Sequence, residues 1–397
     1  MLKVAIVDHF HFSNWYSWCL AKELSKLLRG KGLLFLYGPK NMQCNYINSN
    51  SYVCRPLWLP SFFPLQIIRQ SLKDKVKLIH LQFEFVTFGP FYTSLFVVPF
   101  LLLLRLLHLK SIVTLHGPVF PRNAPKEIMS ILKPANIKAP LTMIKFYIIT
   151  TYIMVSKLSS AVIVHGHCFK KWLTEYGVKN CYVIPHGIIE ENKEIYISSN
   201  NGIRANNQNT YILFFGVLSP RKGLENLLRA FAEVLKDKDK NNITLVIAGD
   251  EPLYYRGYKR KLIDMTYNLG IKNRVIFTGY VSDDQIDMLF QQAEIVVLPY
   301  LYSISASGPL SLAIQYRKPI VATATEFFTE ELRNGKAALL VPRGKPEDLA
   351  KAIKQLIADG NLRKRLIENI TPIIKERSWK KVAQKTLKLY QKICNNE

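Results

Sequence analysis

Acidic side chains are scarce in this chain: 29 Asp and Glu stand against 54 Lys and Arg, a net charge of +25 over 397 residues. The deficit is uneven. Residues 1–190 hold 22 basic and 7 acidic side chains, and the remainder holds 32 and 22. Such a field attracts nucleic acid, anionic lipid or phosphorylated small molecules. A generally lysine-rich composition gives the same total, so charge alone selects no partner. Cysteine is also sparse, with six scattered residues and no CxxC or CxH spacing. That argues against a zinc site and a disulfide framework, and favours a reducing, intracellular setting. The opening MLKVAIVDHF enters strand-like alternation without a basic segment and an apolar one, so no secretory leader is expected. Helix-turn-helix, zinc and RNA-recognition motifs are missing, and the positive charge is spread out, which makes nucleic-acid binding a remote alternative.

One long run lacks charge altogether. FVTFGPFYTSLFVVPFLLLL (85–104) has the length of a membrane span. Gly89, Pro90 and Pro99 interrupt it, and strand-like segments flank it. A core or surface-lying crossover helix is expected there, ahead of a true span.

What is present is apolar content of 49%, enough for two cores in a chain too long for one. Strand-like runs at KVAIVD (3–8), LLFLYG (33–38), VKLIHLQ (76–82), SIVTLHG (111–117), SAVIVHG (160–166) and CYVIPHG (181–187) alternate with helical patterns, the first over 18–32. After an Asn- and Ser-rich stretch the alternation restarts at TYILFFG (210–216), ITLVIAGD (243–250), RVIFTGYV (274–281), EIVVLP and PIVATA. Strand–helix repetition of this kind means parallel, doubly wound sheets. Two such domains are expected, facing across a cleft. The tail SWKKVAQKTLKLYQKI (378–393) is an amphipathic helix with Val382, Leu387, Leu389, Tyr390 and Ile393 on its apolar positions.

Open α/β sheets bind ligands beyond the carboxyl ends of their strands, which draws attention to the His-Gly endings. His116 in TLHG can donate to a sugar hydroxyl or a pyrophosphate oxygen, or it is a satisfied structural histidine. In FFGVLSPRKGLENLLRAF (214–231) a strand ends at Gly216, the turn carries Arg221 and Lys222, and Gly223 opens a helix. Cations at such a corner hold phosphate, together with helix N-terminal amides; a solvated basic turn is the equal alternative. In PYLYSISASGPLSLAIQYRKP (299–319) a small uncharged Ser307-Gly308-Pro309 turn separates strand from helix. The loop DHFHFSNW (8–15), with Ser13 and Asn14, either stacks on a sugar or lipid or packs.

FFGVLSPRKGLENLLRAF, LVIAGDEP, VIFTGYVSDDQIDMLFQQAEIVVLPY, SGPLSLAIQYRKPIVAT and ELRNGKAALLVPRGKPEDLAKAI occur in order. Together they resemble the nucleotide-sugar-binding domain of GT-B glycosyltransferases of the family 4 type. HLQFEF, IVTLHG, VIVHG and VIPHGI resemble, more loosely, the acceptor domain. The resemblance implies two Rossmann-like domains: 1–190 for the acceptor, a linker over 191–209, and 210–375 for the nucleotide sugar. Segment 376–397 is implied to cross back to the N-terminal domain.

Carried over by position, Lys222 matches the family's donor-phosphate lysine. The arginine expected beside it falls on Val217, with Arg221 as the available replacement. The paired glutamates are missing: Ser303 lies near the first position and Leu312 falls at the second. Ser307-Gly308 fits a subgroup with an SG loop instead. Glu330 in TEEL matches a later family glutamate, with Glu331 one residue away as a rival. His116 matches the histidine that approaches the transferred sugar, and His186 is read as shaping the hinge.

The implied site therefore joins His116, Arg221 and Lys222 as catalytic groups with Gly216, Ser307, Gly308 and Glu330 for the donor. No metal and no cofactor are expected beyond the nucleoside-diphosphate sugar as co-substrate. The implied activity is a retaining hexosyltransferase using a UDP or GDP sugar and a glycan or polyprenyl-linked acceptor. Its expected place is the cytoplasm, in peripheral contact with the membrane face. Val217 and the missing glutamates keep one alternative open, a catalytically weakened relative that binds nucleotide sugar or glycan.

Overall fold

The computed structural model describes residues 1–10, 15–42, 52–85, 87–117, 140–190, 210–237, 242–303 and 305–395. The linker expected over 191–209 and the loop residues Ser13 and Asn14 lie outside them.

The first half alternates β1 (Leu2–Val7), α1 (Trp15–Leu28), β2 (Gly32–Pro39), β3 (Tyr52–Trp58), α2 (Phe63–Asp74), β4 (Leu78–Phe83), α3 (Val97–Leu106), β5 (Lys110–Leu115), α4 (Leu141–Leu158), β6 (Ala161–Val164), α5 (His167–Glu175) and β7 (Cys181–Val183). All pairings are parallel, in the order β3-β2-β1-β4-β5-β6-β7. Side chains alternate across this sheet as the two-residue period of a strand requires. Val4 and Ile6 face α1, while Ala5 and Val7 face the layer of α2 to α5.

The second half holds β8 (Thr210–Phe215), α6 (Leu224–Val234), β9 (Ile243–Ala248), α7 (Tyr258–Asn268), β10 (Val275–Gly279), α8 (Asp283–Gln292), β11 (Ala293–Leu298), α9 (Gly308–Gln315), β12 (Ile320–Thr323), α10 (Glu326–Glu331), β13 (Leu339–Val341), α11 (Pro346–Ala358) and α12 (Gly360–Glu376). Its sheet is parallel too, in the order β10-β9-β8-β11-β12-β13. In both sheets the order reverses once, between β1 and β4 and between β8 and β11. Those switch points are where such sheets open a crevice at their carboxyl ends.

The last helix, α13 (Trp379–Asn395), returns to the first sheet. Val382, Ala383, Leu389 and Tyr390 complete the core that α1 forms with β1, β2 and β6. Its apolar stripe is therefore a core face, since burying such side chains contributes about 1.5–3 kcal/mol each.

Three elements differ from expectation. The first helix starts and ends earlier than 18–32, because Gly30 turns the chain at φ 74°. β3 escapes notice because Arg55 and Pro56 interrupt its pattern. It is an edge strand, where a proline is tolerated. The uncharged run becomes a 3-10 turn (Phe91–Phe96) followed by α3, a crossover from β4 to β5. Among the described residues no helix is long and apolar enough to cross a membrane.

Candidate functional site

β8 delivers Gly216 to the switch point of the second sheet, at φ 129°. A β-carbon there would lie 2.4 Å from Lys222 Nζ and 3.1 Å from Pro309 Cγ. Glycine thus keeps open a space bounded by an ammonium group and the start of α9. The chain then runs through a 3-10 turn (Pro220–Lys222) and Gly223 into α6. Gly223 stands at φ 68°, and a β-carbon on it would come 2.1 Å from the Pro299 carbonyl oxygen. The turn can therefore press against the end of β11 only with glycine at its close. A backbone hydrogen bond from Leu301 to the Arg221 carbonyl, 2.8 Å, fixes the two segments together.

Tyr300, just after β11, forms the floor. Lys222 Nζ lies 5.1 Å and Arg221 Cζ 5.6 Å from its ring centroid, cation–π distances for both. Lys222 is only 6% exposed. Burial by itself raises the Tyr300 hydroxyl pKa, but the charges of Lys222 and Arg221 outweigh it and leave it below its ordinary value. The hydroxyl lies 3.4 Å from Ser307 Oγ, which caps α9 by accepting from the Leu310 amide at 3.3 Å. A β-carbon on Gly308 would meet nothing within 4 Å. The structure thus brings Gly216, Arg221, Lys222, Ser307 and Gly308 together at one switch point. Val217 is 50% exposed and apolar, and Leu312 packs against the core where the second family glutamate would fall. Sequence reading missed Tyr300; its position directly after a central strand was the available signal.

Glu330 goes elsewhere. Its carboxylate accepts backbone N–H groups of His167 at 2.5 Å and Cys168 at 2.9 Å, the first turn of α5 in the other half of the chain. It caps that helix across the domain boundary, complementing both its unpaired amides and its dipole. Glu331 pairs with Arg377, whose Nη1 donates to it. Arg377 Nε also donates to the His186 carbonyl at 3.0 Å and Nη2 to Ser311 Oγ at 3.0 Å. This guanidinium is 5% exposed and ties the end of the first half to α9 and α10. Nothing in the local pattern of RSW marked it.

In the first half His116 follows β5, His165 follows β6 and His186 follows β7. The ring of Tyr16 sits among them, with centroids 4.6, 5.1 and 5.2 Å away. Burial pushes His80 down to about 3, His165 to about 4 and His186 to about 3, and drives His116 well below 6.5. All four are neutral at neutral pH.

Neutrality fixes the tautomers. His165 Nδ1 lies 2.9 Å from the Ile184 carbonyl and must donate, so its Nε2 accepts from His116 Nδ1 at 3.3 Å. His116 Nε2 is then an acceptor, and the Gln82 group 2.7 Å away must be the amide NH2 and not the oxygen. His80 Nε2 then donates, to Thr114 Oγ1 at 2.7 Å and toward the Gln82 oxygen at 3.2 Å, and His80 Nδ1 accepts from the Tyr390 hydroxyl at 2.5 Å. A hydrogen-bonded network that branches at His80 to Thr114 and Gln82 links α13 to His116.

Both ring nitrogens of His116 are therefore engaged inside the domain. In this structure the ring contacts Gln82 and His165, and its approach to a transferred sugar stands as what the resemblance implies. Asp8, at the end of β1, is a further group that sequence reading passed over. Burial pushes its carboxyl up to about 7, against hydrogen bonds from Ser17 and the His9 amide and with the charge of Glu84 adding to the rise.

Residues 198–371 match the family described as glycosyl transferases group 1. The chain is 29% identical over 181 residues to an uncharacterized glycosyltransferase of Methanocaldococcus jannaschii, covering 45% of this chain and 44% of that one. The match to group 1 glycosyltransferases lies in the second half of the chain. The chain is also 30% identical over 162 residues to the alpha-D-kanosaminyltransferase of Streptomyces kanamyceticus, with 41% of this chain and 40% of that protein covered. A phosphatidyl-myo-inositol mannosyltransferase of Mycobacterium leprae is 27% identical over 186 residues, 47% of each chain. In these three alignments the chain spans less than half of the relatives' length. Among solved structures, Anabaena HepE in complex with UDP is similar at a TM-score of 0.72 and 16% identity, covering 99% of this chain and 100% of that chain. The sucrose-phosphate synthase of Thermosynechococcus elongatus is similar at 0.73 and 15%, covering 99% of each. The chain has the GT-B fold.

Proposed function

We propose that this chain transfers a hexose, with retention, from a UDP or GDP sugar to a hydroxyl of a glycan or polyprenyl-linked acceptor at a membrane surface. The observation that carries the reading is the space beside Gly216, bounded by the Lys222 ammonium and the start of α9. It offers a nucleoside diphosphate two cations and helix amides, preorganised where negative charge develops as the leaving group departs. Arg221 takes the place of the arginine missing at Val217. In the transfer the bond from the anomeric carbon to the phosphate oxygen breaks. The acceptor oxygen bonds that carbon from the same face, and its proton passes to the departing phosphate oxygen. No protein nucleophile is required.

The UDP bound in HepE and the lipid substrate named for the Mycobacterium leprae relative support the donor and acceptor classes. A nucleotide-sugar binder without transfer is the second reading, favoured by the apolar Val217 and by the ring nitrogens of His116 being already engaged. A thermal-shift screen against UDP, GDP, ADP and CMP sugars tests both, since a ligand specific to the folded state raises the midpoint by mass action. A selective shift accompanied by sugar turnover is expected. A shift without turnover selects the second reading, and no shift with any nucleotide overturns both.

A further inference from the structure

The layer of helices on the outer side of the first sheet is apolar on both faces. In α3, Val97, Phe100, Leu101 and Leu104 are buried against the core, while Leu102 and Leu106 point to solvent. α4 repeats this: Ile144, Ile148 and Val155 are buried, and Met143 and Phe146 are exposed, Phe146 by 72%. α2 adds Leu65 and Leu72 one and three turns into the same layer. Among the described residues, fourteen of the twenty-one exposed large apolar side chains lie between Leu59 and Met154. The second half carries only scattered ones. Between α3 and α4 the surface opens into a groove of about 760 Å3 lined by Leu95, Val98, Pro99, Met143, Phe146 and Tyr147. A concentration of this kind marks an interaction surface and not ordinary surface composition.

The charges around it choose the partner. Arg69 and Lys73 on α2, Arg105 on α3, and Lys145 and Lys157 on α4 are all exposed. Neither α3 nor α4 contains an acidic residue, and the one acid of α2, Asp74, is bonded to Arg55, Tyr37 and Gln70. A second copy on this face would set one set of basic side chains, Arg105 and Lys145 among them, against another, which like-charge repulsion disfavours. An anionic bilayer satisfies both halves of the pattern. Its headgroups pair with the cations and its acyl region takes the leucine and phenylalanine side chains. We propose that the α2–α3–α4 face docks the protein on an anionic membrane, with the groove between α3 and α4 receiving a lipid chain. This rests on the transferase reading only for its purpose, which is to hold the cleft beside a lipid-linked acceptor.

Vesicle flotation with the full chain tests it. Wild type is expected to float with vesicles containing phosphatidylglycerol and to remain behind with pure phosphatidylcholine. Leu102→Glu with Phe146→Glu removes apolar insertion and adds repulsion, so the bound fraction should fall about tenfold or more. Arg105→Glu with Lys145→Glu should lower it as well. Both pairs are exposed, so unfolding midpoints and nucleoside-diphosphate shifts should match wild type. Failure of wild type to float overturns the docking face while leaving the transferase reading to its own nucleotide assay. Unchanged flotation of the Leu102/Phe146 pair overturns it too, because net charge alone would then account for binding. A wild-type dimer by light scattering that this pair converts to monomer overturns it in favour of self-association.

Discussion

At the scale of single residues, the site is defined as much by what is withheld as by what is offered. Gly216 withholds a β-carbon so that Lys222 can face the space where a diphosphate fits. Lys222, Arg221 and the Ser307–Gly308 turn were legible in the sequence because a strand glycine, two cations and a cap stand at characteristic spacing. His116 was legible as a residue but not as a ring: only packing shows that Gln82 and His165 take both nitrogens. Arg377 was not legible at all, since its three partners lie 191, 46 and 66 residues away. It is buried with Glu331, so removing one partner strands a charge in a low-dielectric setting. Arg377→Met is expected to destabilise the folded chain by about 3–5 kcal/mol in denaturant unfolding, and Glu331→Gln with it should recover part of that loss. Loss under 1 kcal/mol would mean that the three hydrogen bonds do not organise the junction.

Elements were more readable than contacts. Helices and central strands announced themselves through period and glycine punctuation, while the edge strand β3 was hidden by Arg55 and Pro56, which only an edge tolerates. The pairing of α10 with α5 lies beyond any local pattern. Glu330 at the end of α10 caps α5, and Phe327 packs 5.4 Å from Phe169 beside it. The carboxylate acts as an N-cap supplied from the other domain, an interaction that contributes roughly 0.5–2 kcal/mol. Glu330→Gln keeps one acceptor and loses the charge. It should cost about 1 kcal/mol in thermal or denaturant unfolding and loosen the domain pairing, seen as a larger radius of gyration in solution scattering. An unchanged radius and midpoint would show that the aromatic contact alone holds α10 to α5.

For the whole molecule, the buried histidines make acid the vulnerable side. His80 and His165 remain neutral when folded down to about 3 and 4, but accept protons near 6.5 when unfolded. Their contribution is intact above 6.5 and is lost as pH falls toward 4, each proton costing about 1.4 kcal/mol per pH unit. His186 and His116 act in the same direction. Asp8 opposes them: with its folded value near 7, its contribution is complete below 3.8 and is lost as pH rises to 7. Burial pushes the carboxyls of Glu84 and Glu331 up as well, in the same sense as Asp8. Three acids against four histidines leave a net loss on acidification, so the unfolding midpoint should drop from pH 6.5 to 4. In Asp8→Asn the acid branch should steepen, with stability regained near pH 8. A midpoint indifferent to pH across that window would contradict the neutral histidine chain.

The central claim is that Gly216, Lys222, Arg221 and the Ser307–Gly308 turn form a diphosphate cradle. Calorimetric titration of UDP and GDP into the full chain and into Lys222→Ala tests it most directly. Loss of a preorganised cation facing an anion is typically worth 10²–10³-fold, so the preferred nucleotide should bind wild type and weaken about a hundredfold in the variant. Binding of the same strength in Lys222→Ala would contradict the assignment of that cradle.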